Sequence, residues 1–266
     1  MNSKKVLITG GTKGLGRSLA DLFIGNKYEV FLTTRNGLTS SEGNKRFKIL
    51  KLNLAEIESV SSFGDKFIEN YGVPDVLINN AGYGAFFEWG NFDTTQIIEQ
   101  TNVLFLAPSI LCKKFVPAMA DVQKGTVINI TSLATIYPLP YMPIYNSCKS
   151  ALSSLTQSLA LEYPNFPRFM DFRLGDIKTN FNKSSIKQDA LSQPEKMRLC
   201  WKQIEKQLNE SPSPEIVAGN IFKEYSKGKH GVFYGGGIIQ SRIAPLFRLF
   251  LTHKGLRFLL QKRYFT

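Results

Sequence analysis

Short apolar runs rich in β-branched residues alternate with longer amphipathic segments over residues 4–175. The runs are typical of buried strands, and they cover residues 6–9, 28–33, 47–52, 76–79, 126–131 and 169–174. Between them, apolar residues recur near every 3.6 positions, which predicts helices over residues 15–25, 55–71, 94–119 and 145–163. Strict alternation of strand and helix predicts a doubly wound α/β fold, in which helices cover both faces of a parallel sheet.

Residues 176–213 break this alternation. They are mostly polar and contain a predicted helix over residues 194–208. Ligands bind doubly wound sheets beyond the carboxyl ends of the strands, so we expect this insertion to form a lid. A helix over residues 215–225 and a strand over residues 231–234 follow it. The pattern predicts one domain over residues 1–237 and a separate C-terminal tail over residues 238–266.

The net charge of +12 is concentrated in this tail. Residues 242–266 contain no acid and six cations, which are Arg242, Arg248, Lys254, Arg257, Lys262 and Arg263. Because the cations gather in one segment and accompany no recognised nucleic-acid-binding module, we do not expect nucleic-acid binding. Apolar residues alternate with these cations at helical intervals and predict a basic amphipathic helix. Such a helix either contacts an anionic membrane surface or packs on the domain or on a second subunit.

Composition narrows the chemistry and the compartment. The chain has 266 residues with 43% hydrophobic and 20% charged side chains, which is enough for a full-sized core. Three cysteines without a Cys-x-x-Cys pair indicate a reducing cytoplasm, with peripheral attachment to a membrane through the tail as the open alternative. Only two histidines occur, both late in the chain, which disfavours a metal site or a Ser-His-Asp triad. No apolar run reaches the ~18 residues of a spanning helix.

A glycine-rich loop joins the first predicted strand to the first predicted helix. It reads T-G-G-T-K-G-L-G over residues 9–16. Glycines at this position allow a sharp turn and a close approach of the backbone to a pyrophosphate, which the positive end of the helix favours. The predicted phosphate-binding residues are Gly10, Thr12, Lys13, Gly14, Leu15 and Gly16. The alternative is an ordinary tight turn between strand and helix.

Arg35 directly follows the second predicted strand. An NAD-preferring protein usually has an acid there for the ribose 2′-hydroxyl, whereas a guanidinium can bind a 2′-phosphate through a bidentate contact. Lys13 can add a second positive charge. The sequence therefore favours NADP(H) as cofactor, and the alternative is a solvated surface arginine.

Tyr145 and Lys149 are four residues apart at the start of a predicted helix, so the phenol and the ammonium project from one face. A phenol has an ordinary pKa of about 10, and a nearby cation stabilises its anion. The pair therefore predicts a proton donor that works near neutral pH. An exposed i,i+4 pair without a catalytic role is the alternative.

Four motifs now stand in a fixed order: the T-G-x-x-x-G-x-G loop, Asn79-Asn80-Ala81-Gly82, Ser132, and Tyr145 with Lys149. Over roughly residues 4–180 the sequence resembles the short-chain dehydrogenase/reductase family. The resemblance implies a Rossmann fold, with residues 1–237 as the catalytic domain, and reversible hydride transfer between a nicotinamide and a carbonyl or alcohol.

The resemblance also implies a role for each catalytic residue. Tyr145 is expected to act as general acid and base, while Lys149 lowers its pKa and holds the nicotinamide ribose. Ser132 is expected to orient the substrate oxygen. Asn102 is expected to hold a water molecule that links Lys149 to solvent. Hydrogen-bond donors at the substrate oxygen suit this reaction because negative charge develops there as hydride arrives.

Further cofactor contacts follow from the resemblance. The expected residues, besides Tyr145, Lys149 and the glycine loop, are Arg35, Asn53, Leu54, Asn80, Ala81, Gly82, Gly175, Ile177 and Thr179. Asn53 stands where the family usually has an aspartate for the adenine amino group, and its amide oxygen can still accept that hydrogen bond. Leu174-Gly175 replaces the family's Pro-Gly.

The expected substrate is an apolar carbonyl or alcohol compound, because the segments beside the site are rich in aromatic and aliphatic residues. These are the loop with Tyr83, Phe86, Phe87 and Trp89, residues 133–141, and the lid. A homodimer or homotetramer is expected from the resemblance. The alternative function is a sensor or scaffold that binds NADP(H) without turnover.

Overall fold

The computed structural model describes residues 3–36, 46–179 and 185–266. Its strands are β1 (Lys5–Thr9), β2 (Glu29–Thr34), β3 (Lys48–Lys51), β4 (Val76–Asn79), β5 (Ala85–Phe86), β6 (Thr126–Ser132), β7 (Arg168–Leu174), β8 (Ile186–Lys187) and β9 (Gly231–Gly235). Its α-helices are α1 (Gly14–Gly25), α2 (Ile57–Tyr71), α3 (Thr94–Thr101), α4 (Ala107–Asp121), α5 (Pro143–Glu162), α6 (Glu195–Asn209), α7 (Pro214–Ser226), α8 (Ala244–Arg248) and α9 (His253–Phe265).

Seven strands form one parallel sheet in the order β3-β2-β1-β4-β6-β7-β9. The chain runs outward from β1 to β3 and then returns to the other side of β1 with β4. The carboxyl ends of β1 and β4 therefore flank the point at which the strand order reverses, where ligands of doubly wound sheets bind. The predicted Rossmann fold is confirmed.

Each strand buries alternate side chains on opposite faces of the sheet, as the two-residue period of a strand requires. In β1, Val6 and Ile8 belong to the core beneath α1 and α7, whereas Leu7 belongs to the core beneath α2 and α4. Phe23 of α1 and Phe115 of α4 are fully buried in these two cores. Burial of one such side chain contributes about 1.5–3 kcal/mol.

The helix predicted over residues 94–119 is interrupted. A π-helical turn over Asn102–Leu106 joins α3 to α4. The combined helix Thr94–Asp121 has 28 residues and contains an 18-residue stretch with a mean hydropathy of 1.5, so its length and composition would also suit a membrane-crossing helix. Leu111 and Phe115 of this helix are buried on the sheet, which accounts for its apolar composition.

The lid and the tail are joined to the domain and to each other. β8 of the lid pairs with β5, and lid helix α6 packs against α9 of the tail. The tail forms a π-helical turn (Ile239–Ile243), α8 and α9, instead of the single amphipathic helix that its periodicity predicts. A third hydrophobic cluster, here called the lid cluster, lies between lid, tail and domain. Its buried members are Phe86, Met142, Met197, Cys200, Ile204 and Tyr264.

A buried ion pair within β7 is connected to α5 through Ser153. The Arg173 guanidinium lies 2.9 Å from Asp171, and the carboxylate side chain of Asp171 is only 1% exposed. Asp171 also accepts hydrogen bonds from Thr131 of β6 and from Ser153 of α5, the latter at 2.6 Å. Two strands and the helix that carries Tyr145 are therefore connected through one carboxylate.

Arg173→Met should lower the free energy of unfolding by about 3 kcal/mol, because it leaves the Asp171 charge buried without its cation. Urea unfolding monitored by circular dichroism measures this. The additional change Asp171→Asn should recover part of the loss, since the amide removes the charge. Arg17→Met, which breaks the surface pair with Asp21, is the control and should cost less than about 1 kcal/mol. Equal losses in the single and the double variant would contradict this account.

Candidate active site

The glycine loop forms a cradle that only small residues fit. Gly10 and Gly14 have φ angles of +64° and +55°, in the left-handed region that favours glycine. A Cβ atom on Gly16 would lie 2.5 Å from the Gly10 carbonyl oxygen. α1 begins here with Lys13 as its N-cap, and the Lys13 side chain does not cap the helix. The positive end of α1 therefore meets the cradle, which suits a phosphate group.

Thr9 joins this loop to the segment after β4. Its hydroxyl oxygen accepts hydrogen bonds from the backbone amides of Asn80 and Ala81 at 3.0 and 3.1 Å. The Asn80 amide group in turn donates to the carbonyl oxygens of Thr9 and Gly10. Thr9 was not among the predicted site residues, although it precedes the glycines directly. Asn80 holds the glycine loop in place.

The predicted cofactor residues converge from four segments. A Cβ atom on Gly14 would lie 3.8 Å from the Thr179 side chain, so the glycine loop faces the segment after β7. A Cβ atom on Gly82 would lie 2.8 Å from Leu104 and 3.8 Å from Lys149 Nζ. The loop after β4 therefore lies in contact range of Lys149, and a side chain at residue 82 would have to displace Leu104.

Two cations belong to the segments predicted to bind the cofactor, Lys13 in the glycine loop and Arg35 directly after β2. Arg35 and Lys13 are both exposed, and neither forms an ion pair within residues 3–36, 46–179 and 185–266. Burial raises the pKa of Tyr83 to about 12, and the positive charge of Arg35 opposes that shift. The charge of Arg35 is therefore felt at Tyr83, in the loop after β4. This loop lies at the same edge of the sheet as the glycine loop.

Asn53 lies after β3, as predicted. Its amide oxygen accepts a hydrogen bond from the Ala55 backbone amide at 3.2 Å, and its amide nitrogen donates to Glu56 at 2.8 Å. A carbonyl oxygen has a second lone pair, so it can accept one further donor. The following residue, Leu54, is buried.

Ser132, Tyr145 and Lys149 lie together at the end of β6. A side-chain hydrogen bond joins Ser132 to Tyr145. The Ser132 oxygen also accepts the Ala134 backbone amide at 3.1 Å, which orients the hydroxyl. Lys149 Nζ donates to the Ile130 carbonyl oxygen at 2.7 Å and lies 6.0 Å from the centroid of the Tyr145 ring. The predicted helical spacing thus places phenol and ammonium on one face of α5.

Burial dominates the electrostatics of this group. It raises the pKa of Tyr145, while the hydrogen bond with Ser132 opposes the shift and the charge of Asp176 adds to it. The sequence leads us to expect that Lys149 lowers this pKa, and in the structure burial outweighs any such effect. Burial also lowers the pKa of Lys149 from 10.5 to about 8, and Asp171 is among the charges that oppose this shift.

A small cavity adjoins Lys149. Its volume is about 10 Å³, close to the minimum that holds one water molecule, and Asn79 and Val103 also line it. The Asn79 amide oxygen is buried and accepts no hydrogen bond from the described part of the chain. The amide of Asn102 donates to the Ala55 carbonyl oxygen at 2.9 Å. Asn79 was missed because its side chain lies within a predicted strand.

The segment after β7 is held by a residue of the tail. The Gln240 amide oxygen accepts the Asp176 backbone amide at 3.0 Å, and its nitrogen donates to the Asp176 carboxylate at 2.5 Å. A Cβ atom on Gly175 would lie 2.3 Å from the Gln240 oxygen. Burial raises the pKa of Asp176. No local pattern in the sequence connects Gln240 with a segment 64 residues earlier.

Apolar side chains cover the outer side of Tyr145. Tyr145 packs against the lid cluster together with Tyr141, Trp201 and Leu260. Leu260 also lines a groove of about 320 Å³ between Pro138–Leu139–Pro140 and α9. Lid, tail and the loop after β6 therefore enclose the phenol in apolar surroundings. The described residues contain no cluster of three or more His, Cys, Asp or Glu that would hold a metal ion.

Comparison with known proteins decides the family. The sequence profile described as short chain dehydrogenase matches residues 4–190, more than two thirds of the chain. The chain belongs to the short-chain dehydrogenase family. Members of this family are oxidoreductases that typically act on CH–OH and C=O groups, and the resemblance stated from the motifs is confirmed.

Individual relatives are more distant. An uncharacterised oxidoreductase of Schizosaccharomyces pombe is 32% identical over 163 residues, which cover 60% of this chain and 56% of the relative. A 3-ketodihydrosphingosine reductase of Bacteroides thetaiotaomicron is 29% identical over 182 residues, which cover 68% of this chain and 66% of the relative. The alignment thus spans less than two thirds of either relative.

Solved structures of short-chain dehydrogenases share the fold. One from Streptomyces avermitilis superposes with a TM-score of 0.80 at 20% identity and covers 98% of this chain and 96% of that protein. The structure of ElxO with NADP bound has a TM-score of 0.70 at 25% identity and covers 88% and 97% of the two chains.

The lowered pKa of Lys149 predicts how the free energy of unfolding depends on pH. Between pH 8 and 10.5 the folded protein binds fewer protons at Lys149 than the unfolded chain does, so this residue makes folding more favourable as the pH rises. The free energy of unfolding of the cofactor-free protein, relative to that of Lys149→Met, should therefore increase by about 2–3 kcal/mol from pH 7 to pH 10. Denaturant titrations at several pH values measure it.

Lys66→Met, which removes an exposed ammonium from α2, is the matched control and should keep the pH dependence of the wild type. If the free energies of unfolding of wild type and Lys149→Met changed in parallel across this pH range, the lowered pKa of Lys149 would be contradicted.

Proposed function

We propose that this protein is an NADP(H)-dependent oxidoreductase that transfers a hydride between the nicotinamide and a carbonyl or alcohol substrate, with Tyr145 as general acid and base. One observation carries the proposal: Ser132 and Tyr145 are hydrogen-bonded to each other, and Lys149 extends along the same helix face to the strand that ends at Ser132. A phenol, a hydroxyl and an ammonium in this arrangement suit proton transfer to a substrate oxygen.

The residues present fit a dinucleotide. The glycine cradle at the start of α1 suits its pyrophosphate, and the segments with Gly82 and Thr179 approach the cradle closely. Asn53 and Leu54 would hold the adenine side, while Asn80, Ala81, Gly175 and Ile177 would line the remainder. Arg35 and Lys13 are exposed cations suited to a 2′-phosphate, and the related ElxO was solved with NADP bound. When bound, the nicotinamide supplies or accepts the hydride.

The protein's own groups then manage charge and protons. Burial keeps the Tyr145 phenol protonated, which is the form that donates to an oxygen on which negative charge develops. Ser132, oriented by its bond from Ala134, is the second donor to that oxygen. The Lys149 ammonium favours the phenolate that remains after transfer.

The proton that Tyr145 gives up must be replaced from solvent. The water-sized cavity beside Lys149 and Asn79 offers one position for a relay, and the expected role of Asn102 in this relay remains part of the proposal. Asn102 lies at the first residue of the π-helical turn, and such turns occur frequently at functional sites.

An apolar carbonyl compound is the proposed substrate class. The lid cluster and the groove along α9 present mainly aromatic and aliphatic side chains toward Tyr145. The Bacteroides thetaiotaomicron relative is by its name a reductase of a keto compound, which agrees with reduction of a ketone. The alternative, a sensor or scaffold without turnover, has no need of a buried ammonium beside a buried phenol and is not favoured.

Assembly and location remain proposals as well. A homodimer or homotetramer would be formed through the helical regions of residues 94–119 and 145–163, because members of the family commonly associate through the corresponding helices. Leu161 near the end of α5 is 85% exposed, which suits a contact there. The cytoplasm remains the proposed compartment, with contact to a membrane surface through the tail.

Tyr145→Phe should lower the rate of carbonyl reduction at least 10²-fold, because the general acid is lost while the ring is kept. The affinity for NADPH, measured by fluorescence titration, should change less than about two-fold. Tyr163→Phe, which removes a phenol just beyond the other end of α5, is the control and should keep full activity. Undiminished turnover of Tyr145→Phe on a panel of apolar ketones would refute the proposed acid.

Arg35→Asp should move cofactor preference from NADPH toward NADH, since a carboxylate repels the 2′-phosphate and accepts a ribose hydroxyl. We expect the ratio of kcat/KM for NADPH to that for NADH to fall at least ten-fold. Lys66→Asp makes the same change of charge on α2 and controls for the altered net charge. A ratio that does not move in Arg35→Asp would mean that another group selects the cofactor.

A further inference from the structure

The first part of the tail exposes a continuous apolar face. Seven large side chains within residues 238–250 are between 47% and 83% exposed: Ile238, Ile239, Ile243, Leu246, Phe247, Leu249 and Phe250. Arg242, which is also exposed, lies among them. Single exposed apolar residues are ordinary, whereas a cluster of this kind marks a contact surface.

The opposite side of the same segment is fixed to the domain. Gln240 is hydrogen-bonded to Asp176, and the Ala244 carbonyl oxygen accepts the Tyr137 hydroxyl at 2.8 Å. Leu256 and Tyr264 of the following helix α9 are buried. The tail is therefore anchored by its inner side, and the outward direction of the apolar face is a property of the folded domain.

The positive charges in and beside the apolar face indicate what kind of partner it binds. Arg242 lies within it, Arg248 belongs to the same segment, Lys254 follows it, and residues 242–266 contain no acid. Two copies placed face to face would bring these cations together without compensation. The partner must therefore accept both the apolar side chains and the cations. An anionic lipid bilayer does so, because its acyl chains are apolar and its headgroups are negatively charged.

We propose that the apolar face of residues 238–250 docks this protein on anionic lipid bilayers. The seven side chains enter the boundary between headgroups and acyl chains, and the flanking cations contact the lipid phosphates. This inference does not depend on the proposed reaction, because binding to vesicles is measured without cofactor or substrate.

Flotation with vesicles tests the docking directly. The wild-type protein should float with vesicles of phosphatidylcholine containing 30 mol% phosphatidylglycerol, and about ten-fold less with phosphatidylcholine alone. Raising NaCl from about 50 to about 500 mM should weaken binding to the anionic vesicles, because salt screens the cations. An anionic bilayer thus differs from a merely apolar surface in its dependence on lipid charge.

Leu246→Asp with Phe250→Asp should reduce the vesicle-bound fraction at least ten-fold. The matched control is Ile98→Asp with Ile216→Asp, which places the same two charges at apolar residues that are 54% and 59% exposed on α3 and α7. Circular dichroism of both variants checks the fold. Arg242→Gln with Lys254→Gln should weaken binding by about five-fold for each cation while leaving the apolar contact intact.

Insertion itself is read from Phe250→Trp, which keeps an aromatic ring on the face. Its emission, after subtraction of the wild-type signal, should shift to the blue with anionic vesicles and be quenched by lipids with a spin label on the acyl chain. The proposal would be overturned if the wild type did not float with anionic vesicles, or if Leu246→Asp with Phe250→Asp bound vesicles as well as the control variant does. It would also be overturned if Leu246→Asp with Phe250→Asp changed only the sedimentation coefficient of the protein measured without vesicles. The last result would assign the face to a second copy of this chain.

Discussion

The hydrogen bond from Lys149 to the Ile130 carbonyl holds the candidate active site together. It connects α5, which carries Tyr145, to β6, which ends in Ser132, and thereby sets the distance between the phenol and the serine hydroxyl. The bond also brings an ammonium into a buried position, which lowers the pKa of Lys149 to about 8. The same contact that positions the helix therefore brings the titration of the cation close to neutral pH.

Several other buried polar groups also help to position α5 on the sheet. Asp171 places a negative charge below the same helix and connects it through Ser153 to β7. Asn129 of β6 joins Asn79 to Thr156, both at 2.7 Å, so a second chain of hydrogen bonds crosses from β4 to α5. Buried polar networks of this kind help to give a core one defined arrangement, and here only the Asn79 amide oxygen lacks a donor among the network groups named above. The geometry of the candidate active site depends on hydrogen-bond distances. A single defined arrangement of the core therefore fixes that geometry better than additional apolar burial would.

The strands of the parallel sheet and most helices were predictable because they rest on local periods of two and 3.6 residues. The glycine loop and the pair Tyr145 and Lys149 were predictable because their spacing is itself the signal. Contacts between distant segments leave no such pattern, so the β5–β8 pairing and the support of Asp176 by Gln240 were missed. The pKa of Tyr145 was misjudged for a similar reason: spacing shows that a cation is near, but burial depends on the lid and the tail.

The tail links these observations, because its two sides face different environments. Gln240 on the inner side supports the backbone that follows β7, where Gly175 and Thr179 are proposed to contact the cofactor. Ile239 and Ile243 on the outer side expose apolar surface only a few residues away. Whatever covers the outer face also restrains Gln240, since both belong to one helical segment. A bilayer at that face would therefore hold the lid cluster and the groove along α9, from which the apolar substrate class is proposed, close to the medium in which an apolar ketone dissolves.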